Sequence, residues 1–211
     1  YKQLYCNNRA NINNIKDIFK IHKTPAVLLV IYLGVLIWSG IRPVDYPVWQ
    51  VEAATSLLPV AILSVLYFFR IRFSSTAYIL AAVLPIMHAI GAHYTLANVP
   101  FEWFNNMRHS DRYMYDIVAH ASVGLYSFLI IEGMIKFEVI NKKWAAYSYA
   151  IFLIMALAAA YELFEWQYAV SVNPEAGIEV LGSQGDVWDA QKDMLMDTLG
   201  AILGAIIYFV C

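Results

Sequence analysis

Charge is what this sequence has least of. Only 14% of its 211 residues are Asp, Glu, Lys or Arg and 61% are hydrophobic, whereas soluble domains carry about a quarter charged residues. The mean hydropathy of +0.56 points the same way. This shortage excludes an ordinary soluble globular domain, and it excludes a disordered chain, which needs low hydrophobicity and high net charge. Cysteine is scarce too. Cys6 and Cys211 are the only two and sit near opposite ends, which excludes a disulfide-held scaffold and leaves no basis for thiolate metal chemistry. The net charge of −2 supplies no concentrated basic face, so no nucleic acid is expected as a partner. A membrane protein is what remains.

A helix crosses a hydrocarbon core about 30 Å thick with about 20 mainly apolar residues. Six runs of that kind are present, at Pro25–Gly40, Glu52–Phe69, Thr76–Asn98, Tyr115–Ile135, Trp144–Tyr168 and Asp189–Val210. The expected fold is all-α, a polytopic bundle of six transmembrane helices over residues 25–211, after a cytoplasmic or interfacial segment of residues 1–24. In that segment Ile12, Ile15, Ile18 and Phe19 share one helical face, a pattern that suits a short interfacial helix or a packed terminal one. The first run has no small-residue cleavage site of the sort that marks a removed signal peptide. Gly200 and Gly204, like Ala156 and Ala160, are spaced by four and are expected to let helices approach closely.

Short cytoplasmic loops keep the positive charges. Lys2, Arg9, Lys16, Lys20 and Lys23 precede the first run, Arg70 and Arg72 follow the second, and Lys136, Lys142 and Lys143 follow the fourth, so ten of the fourteen basic residues fall on one side. Both termini are therefore expected in the cytoplasm, with the longer loops Val99–Met114 and Ala169–Trp188 outside. Trp49, Trp103, Trp166 and Trp188 lie near the outer helix ends, where an interfacial aromatic belt belongs.

Ionisable residues within a span cost several kcal/mol unless paired, hydrated or neutralised, so each one marks a candidate site. They concentrate in the outer ends of four runs: MHAIGAHYT with His88 and His93, YDIVAHASVG with Asp116 and His120, YELFEWQ with Glu162 and Glu165, and DVWDAQKDMLMDTLG with Asp189, Asp193 and Asp197. The spacings of four in the second and last, and of three between the glutamates, put each set on one helix face. His93, His120, Glu162 and Asp193 all fall roughly one to two turns beneath the outer boundary. Facing one another, such groups share protons, accept hydrogen bonds from Tyr94, Tyr115 or Tyr161, or ligate a cation. A set of oxygens with one to three imidazoles suits a divalent metal: zinc, manganese, iron or magnesium. The expected ligands are His93, His120, Glu162 and Asp193, with Glu165 or Asp116 as the catalytic base or an orienting group, and Tyr94, Asp189, Asp197 and His88 as further members of the polar cluster. Plainer roles stand beside these. His88 is equally a hydrogen-bonded core residue, Asp189 a favourable acid at a helix start, Lys192 with Asp116 a structural ion pair, and His109, Asp111, Glu175 and Asp186 hydrated loop groups.

The runs IGAHYT, YDIVAHASVGL, YELFEWQ and DVWDAQKDMLMDTLGA, in this order, resemble the YjdF-like family of bacterial and archaeal multi-pass membrane proteins, over roughly Leu33 to Tyr208. A looser likeness is to VanZ-like proteins, which place an Asp-x-x-x-His element before an acidic helix and an Asp-rich, Gly-containing final helix. The resemblance implies a helical protein integral to the cell membrane of a prokaryote. The positions it carries over are His93, Tyr94, Asp116, His120, Glu162, Glu165, Asp189, Gln191, Asp193 and Gly200. It implies no particular reaction.

Three functions fit these residues. One is a metal-dependent enzyme of the outer leaflet, whose cation activates water or a phosphoryl or acyl oxygen of a lipid or lipid-linked substrate. Another is an accessory subunit whose acidic cluster fixes an interface with partner membrane subunits. The last is an ion-coupled carrier, which the apolar inward halves of the spans disfavour.

Overall fold

A computed structural model describes residues 23–101, 114–171 and 186–211. The amphipathic stretch from Asn11 to His22, Trp103, His109, Asp111 and Glu175 lie outside the described residues. Helices are the only regular structure among the rest: α1 (Lys23–Ser39), α2 (Tyr46–Phe68), α3 (Ser75–Tyr94), a 3-10 turn (Leu96–Asn98), α4 (Tyr115–Gly124), α5 (Tyr126–Lys136), α6 (Lys143–Ser171) and α7 (Asp189–Val210). Five membrane-length apolar helices result when α4 and α5 are taken as one span of 22 residues. The sixth, α1, has 17 residues, at the short end of what crosses a bilayer. The six expected spans are thus all helical.

Local chemistry sets the boundaries. The Asp45 carboxylate accepts a hydrogen bond from the Val48 backbone N–H at 2.9 Å, and Pro47 stands in the first turn. An N-cap followed by an early proline is a strong start signal. It begins α2 at Tyr46 rather than at Glu52, so Glu52 lies two turns inside the helix. Ser74 caps α3 by accepting from Ala77 N–H at 3.2 Å. Its own N–H and hydroxyl donate to the two carboxylate oxygens of Glu132 at 2.7 and 2.6 Å, which fastens α3 to α5.

The fourth span is broken between α4 and α5. Leu125 N–H bonds Ser122 O and Phe128 N–H bonds Leu125 O, a tightening to three-residue spacing. The break coincides with a close crossing of α4 and α7. A Cβ on Gly124 would stand 2.1 Å from Ala201 N and 2.4 Å from Asp197 O, and one on Gly200 would stand 2.0 Å from Ala121 O. Only two glycines permit that approach. Gly204 continues it, with Ser127 Oγ where its Cβ would be. The expected pair Ala156 and Ala160 faces outward instead. In α6 the buried row is Ala146, Ala150, Ile154 and Ala158, one residue every four.

The most extensive packing is α4 on α7, and α1 and α2 each pack on α3 far more than on one another. The outward faces are apolar, as with Phe68 at 81% and Phe209 at 79% exposure, which suits contact with lipid. The basic residues Lys23, Arg70, Arg72, Lys136, Lys142 and Lys143 stand at one set of helix ends, called here the basic end. The opposite, acidic end carries the starts of α4 and α7 and the last turns of α3 and α6.

Candidate functional site

The α4 and α7 crossing builds the site. Asp116 and His120 occupy successive turns of one α4 face, and Asp193 and Asp197 do the same on α7. Because Gly124 and Gly200 bring the two backbones together one turn further in, those faces meet. His120 Nε2 lies 3.7 Å from Asp116 Oδ1 and 4.0 Å from Asp193 Oδ2. Its other nitrogen, Nδ1, is 3.2 Å from Asp197 Oδ2. One donor atom from each of Asp116, His120 and Asp193 lies within 4.8 Å of the other two, and all three residues are buried. It is the only such metal-grade group among the described residues.

Burial makes the arrangement demanding. Asp193 is 3% and Asp197 1% exposed, and Asp193 Oδ1 and Asp197 Oδ1 have no hydrogen-bond partner. Leaving buried polar oxygens unpaired costs free energy. Several carboxylates around one imidazole also repel one another unless a proton or a cation sits among them.

The α6 residues border this group. The Tyr161 ring meets His120 edge-on with centroids 6.4 Å apart. Glu165 follows one turn on, and its charge acts on Tyr161. Glu165 is buried and lies in the field of Glu162, Asp116, His120 and Glu52. Glu162 is half-buried, with Oε1 unpartnered, and the charges of His120, Asp189 and Asp116 act on it. Asp189 is buried in the first turn of α7, where an acid also complements the helix dipole.

Other expected members stand elsewhere. His93 does not face His120. Its Nδ1 is 3.0 Å from Ser39 O, and its ring stacks on Trp38 with centroids 4.6 Å apart, so it fastens α3 to α1. The reason is rotational: five residues after His88 is about 140° around a helix, and α3 cannot turn both histidines to one place. Tyr94 goes with His93, tilted against Trp38 at 6.2 Å. Lys192 pairs with Asp186 at 2.5 Å, not with Asp116. Asp116, expected as base or orienting group, stands in the donor set, and Glu162 stands beside that set.

His88 has an unforeseen partner. Its Nε2 lies 2.5 Å from Glu52 Oε2, with Glu52 only 2% exposed. Glu52 acts electrostatically on both Tyr161 and Glu165, so this pair continues the polar layer from α4, α6 and α7 to α2 and α3. The signal was an acid in the apolar run VEAATSLLPV. Placing the helix start at Glu52 disguised it as a terminal residue.

Comparison with known proteins agrees with this architecture. Residues 24–211 match the family model described as predicted membrane protein (DUF2238). The chain is similar to the inner membrane protein YjdF of Escherichia coli (strain K12), 31% identical over 82% of this chain and 82% of that protein. No solved structure matches the chain.

Proposed function

This chain belongs to the DUF2238 family of predicted membrane proteins, and from that premise we propose that Asp116, His120 and Asp193 hold a divalent cation for a metal-dependent reaction on a lipid or lipid-linked substrate. The membrane is the inner, cytoplasmic one, as the name of the Escherichia coli relative has it, and the positive-inside distribution turns the site toward the outer leaflet. The observation that carries the proposal is the division of labour on His120. Asp197 takes the Nδ1 side, and Nε2 is left pointing toward Asp116 and Asp193. Histidines that ligate metals characteristically give their second nitrogen to a carboxylate in this way, which fixes the tautomer and the ring.

Two carboxylates and one imidazole leave coordination positions for water or substrate, and the hard oxygens favour magnesium, manganese, iron or zinc over soft ions. Such a cation polarises a phosphoryl or acyl oxygen and acidifies a bound water. Glu165, one turn from Tyr161, is the general base, and Glu162 receives or returns a proton at the rim. The depth of the cluster, one to two turns inside the helix ends, is headgroup depth and selects an amphiphile as substrate.

Elemental analysis of the purified protein tests this. The expected result is one equivalent of a divalent metal, lost in Asp193→Ala, with a lower melting temperature after chelation. No stoichiometric metal and unchanged melting would overturn it. A second reading, a structural ion or network that locks α4 on α7 within a larger membrane complex, is favoured by the Gly124–Gly200 contact. On that reading Glu165→Gln leaves every activity intact and only assembly responds to Asp193→Ala.

A further inference from the structure

Between α1 and α2, floored by α3, runs a cleft whose wall chemistry changes along its length. Toward the basic end it is lined by Leu28 and Leu29 of α1, Val60 and Leu63 of α2, and Ala82 and Pro85 of α3, and it encloses about 180 Å³. Leu29 and Ser64 at its mouth are exposed on the lipid-facing side. At the end of that lining, the Tyr32 hydroxyl and Ser56 Oγ meet at 2.9 Å and bridge the two helices. One turn beyond Ser56 on α2 stands Glu52, and His88, its partner, stands one turn beyond Pro85 on α3. Apolar walls, a hydroxyl bridge and an ionisable pair thus follow in order along three helices, and the ionisable pair joins the layer of Tyr161 and Glu165.

We propose that this cleft is a slot for one hydrocarbon chain of a membrane lipid, which enters between α1 and α2 and sets its polar end against Tyr32 and Ser56, on the side facing Glu52 and His88. The inference rests on the metal reading only for the destination of the polar end. The lining of α2 runs from Val60 to Tyr67, about 10 Å of helix, so it accepts an extended chain rather than a compact ligand. Tyr32, at 2% exposure, gives the slot a polar stop that bulk lipid contact does not require. A buried hydroxyl pair costs little where it is satisfied: Ser56 Oγ–H donates to Ala53 O at 2.9 Å, the Tyr32 hydroxyl donates to Ser56 Oγ, and the lone pairs left on Tyr32 accept from a hydroxyl or amide N–H arriving with the chain. Walls without charge exclude a polar occupant, and the carboxylate of Glu52 beyond them disfavours a free fatty acid arriving as an anion.

The experiment uses the full chain in phosphatidylethanolamine vesicles carrying a phosphatidylethanolamine whose acyl chain bears a diazirine, with adducts mapped by mass spectrometry after irradiation. The expected result is adducts concentrated on Leu28, Val60 and Leu63, several-fold above those on the outward residues Val27, Val30 and Ile62. That excess falls to the outward level in Ala82→Phe, and in Ser64→Trp, which blocks the mouth without touching the packed floor. Even labelling of slot and outward faces, or an excess unchanged in both variants, would overturn the proposal. Metal content is measured on the same samples with and without chelation. Slot labelling without metal leaves the slot standing and sinks the metal reading, and metal with even labelling does the reverse.

Discussion

His120 and Asp197 face each other across the α4–α7 crossing, Nδ1 to Oδ2 at 3.2 Å. If that contact orients the ring for ligation, Asp197→Asn keeps an acceptor but loses the charge, and divalent metal affinity falls about 10- to 100-fold. Asp116→Ala and Asp193→Ala, which remove ligands, lose stoichiometric binding altogether. Calorimetric titration of the chelated protein with manganese or zinc distinguishes the two classes. Equal affinity in wild type and Asp197→Asn would contradict the orienting role.

The glycine crossing sets a steric prediction. Gly200→Ala drives a methyl into Ala121 O, and Gly124→Ala drives one into Ala201 N. Both neighbours are backbone and neither yields cheaply. Overpacking of this kind costs about 1–3 kcal/mol, read as a lower melting temperature in detergent. Metal binding falls with it, because α4 and α7 are pushed apart just beside His120 and Asp197.

The Glu52–His88 pair is buried on both sides. Glu52→Ala or His88→Ala alone leaves a buried partner uncompensated and destabilises by about 3–5 kcal/mol, whereas the double replacement Glu52→Met with His88→Leu recovers most of that loss. Thermal unfolding of the three variants checks this. Equal destabilisation by the double and single variants would show that the pair is not the origin of the effect.

His93→Ala gives the opposite pattern from His120→Ala. With its contacts to Ser39 and Trp38 gone, α1 loses its tie to the end of α3 and the chain melts earlier. Metal stoichiometry stays unchanged. Loss of metal from His93→Ala would return His93 to the ligand set.

Topology is checked by single cysteines placed at Asn141 and Val187 in a chain with its own cysteines replaced. A membrane-impermeant thiol reagent added to intact cells is expected to label Val187→Cys and spare Asn141→Cys, since the basic loops stay inside. The reverse labelling would turn the site toward the cytoplasm.

Hydropathy made the spans legible because each helix is apolar on its lipid face as well as its packed one, and spacing by four made the Asp116–His120 and Asp193–Asp197 faces legible. What spacing could not supply was azimuth between helices. His93 shares a depth with His120 yet points toward α1, since depth depends on position along one helix whereas direction depends on how helices pack. Glu52 was hidden by a boundary error of six residues, which the Asp45–Tyr46–Pro47 start signal explains. The division of the fourth span at Leu125 had no signature beyond Gly124, and its cause lies on a different helix, at Gly200. The cleft between α1 and α2 arises from what fails to touch, which no single-chain periodicity encodes.

The place of the glycine crossing has a mechanical meaning. His120 lies four residues before Gly124 and Asp197 three before Gly200, whereas Asp116 lies eight and Asp193 seven before them, so the His120–Asp197 contact sits about one turn, roughly 5 Å, from the pivot and the other two carboxylates about two turns. When bilayer thickness changes, spans tilt, and points on two crossed rods separate in proportion to their distance from the fulcrum. The outer ends of α4 and α7, which carry Asp116 and Asp193, therefore swing further than His120 and Asp197, which are close in like the root of a pair of shears and hold a nearly constant distance. A chain with this geometry keeps the His120–Asp197 spacing across membranes of differing thickness.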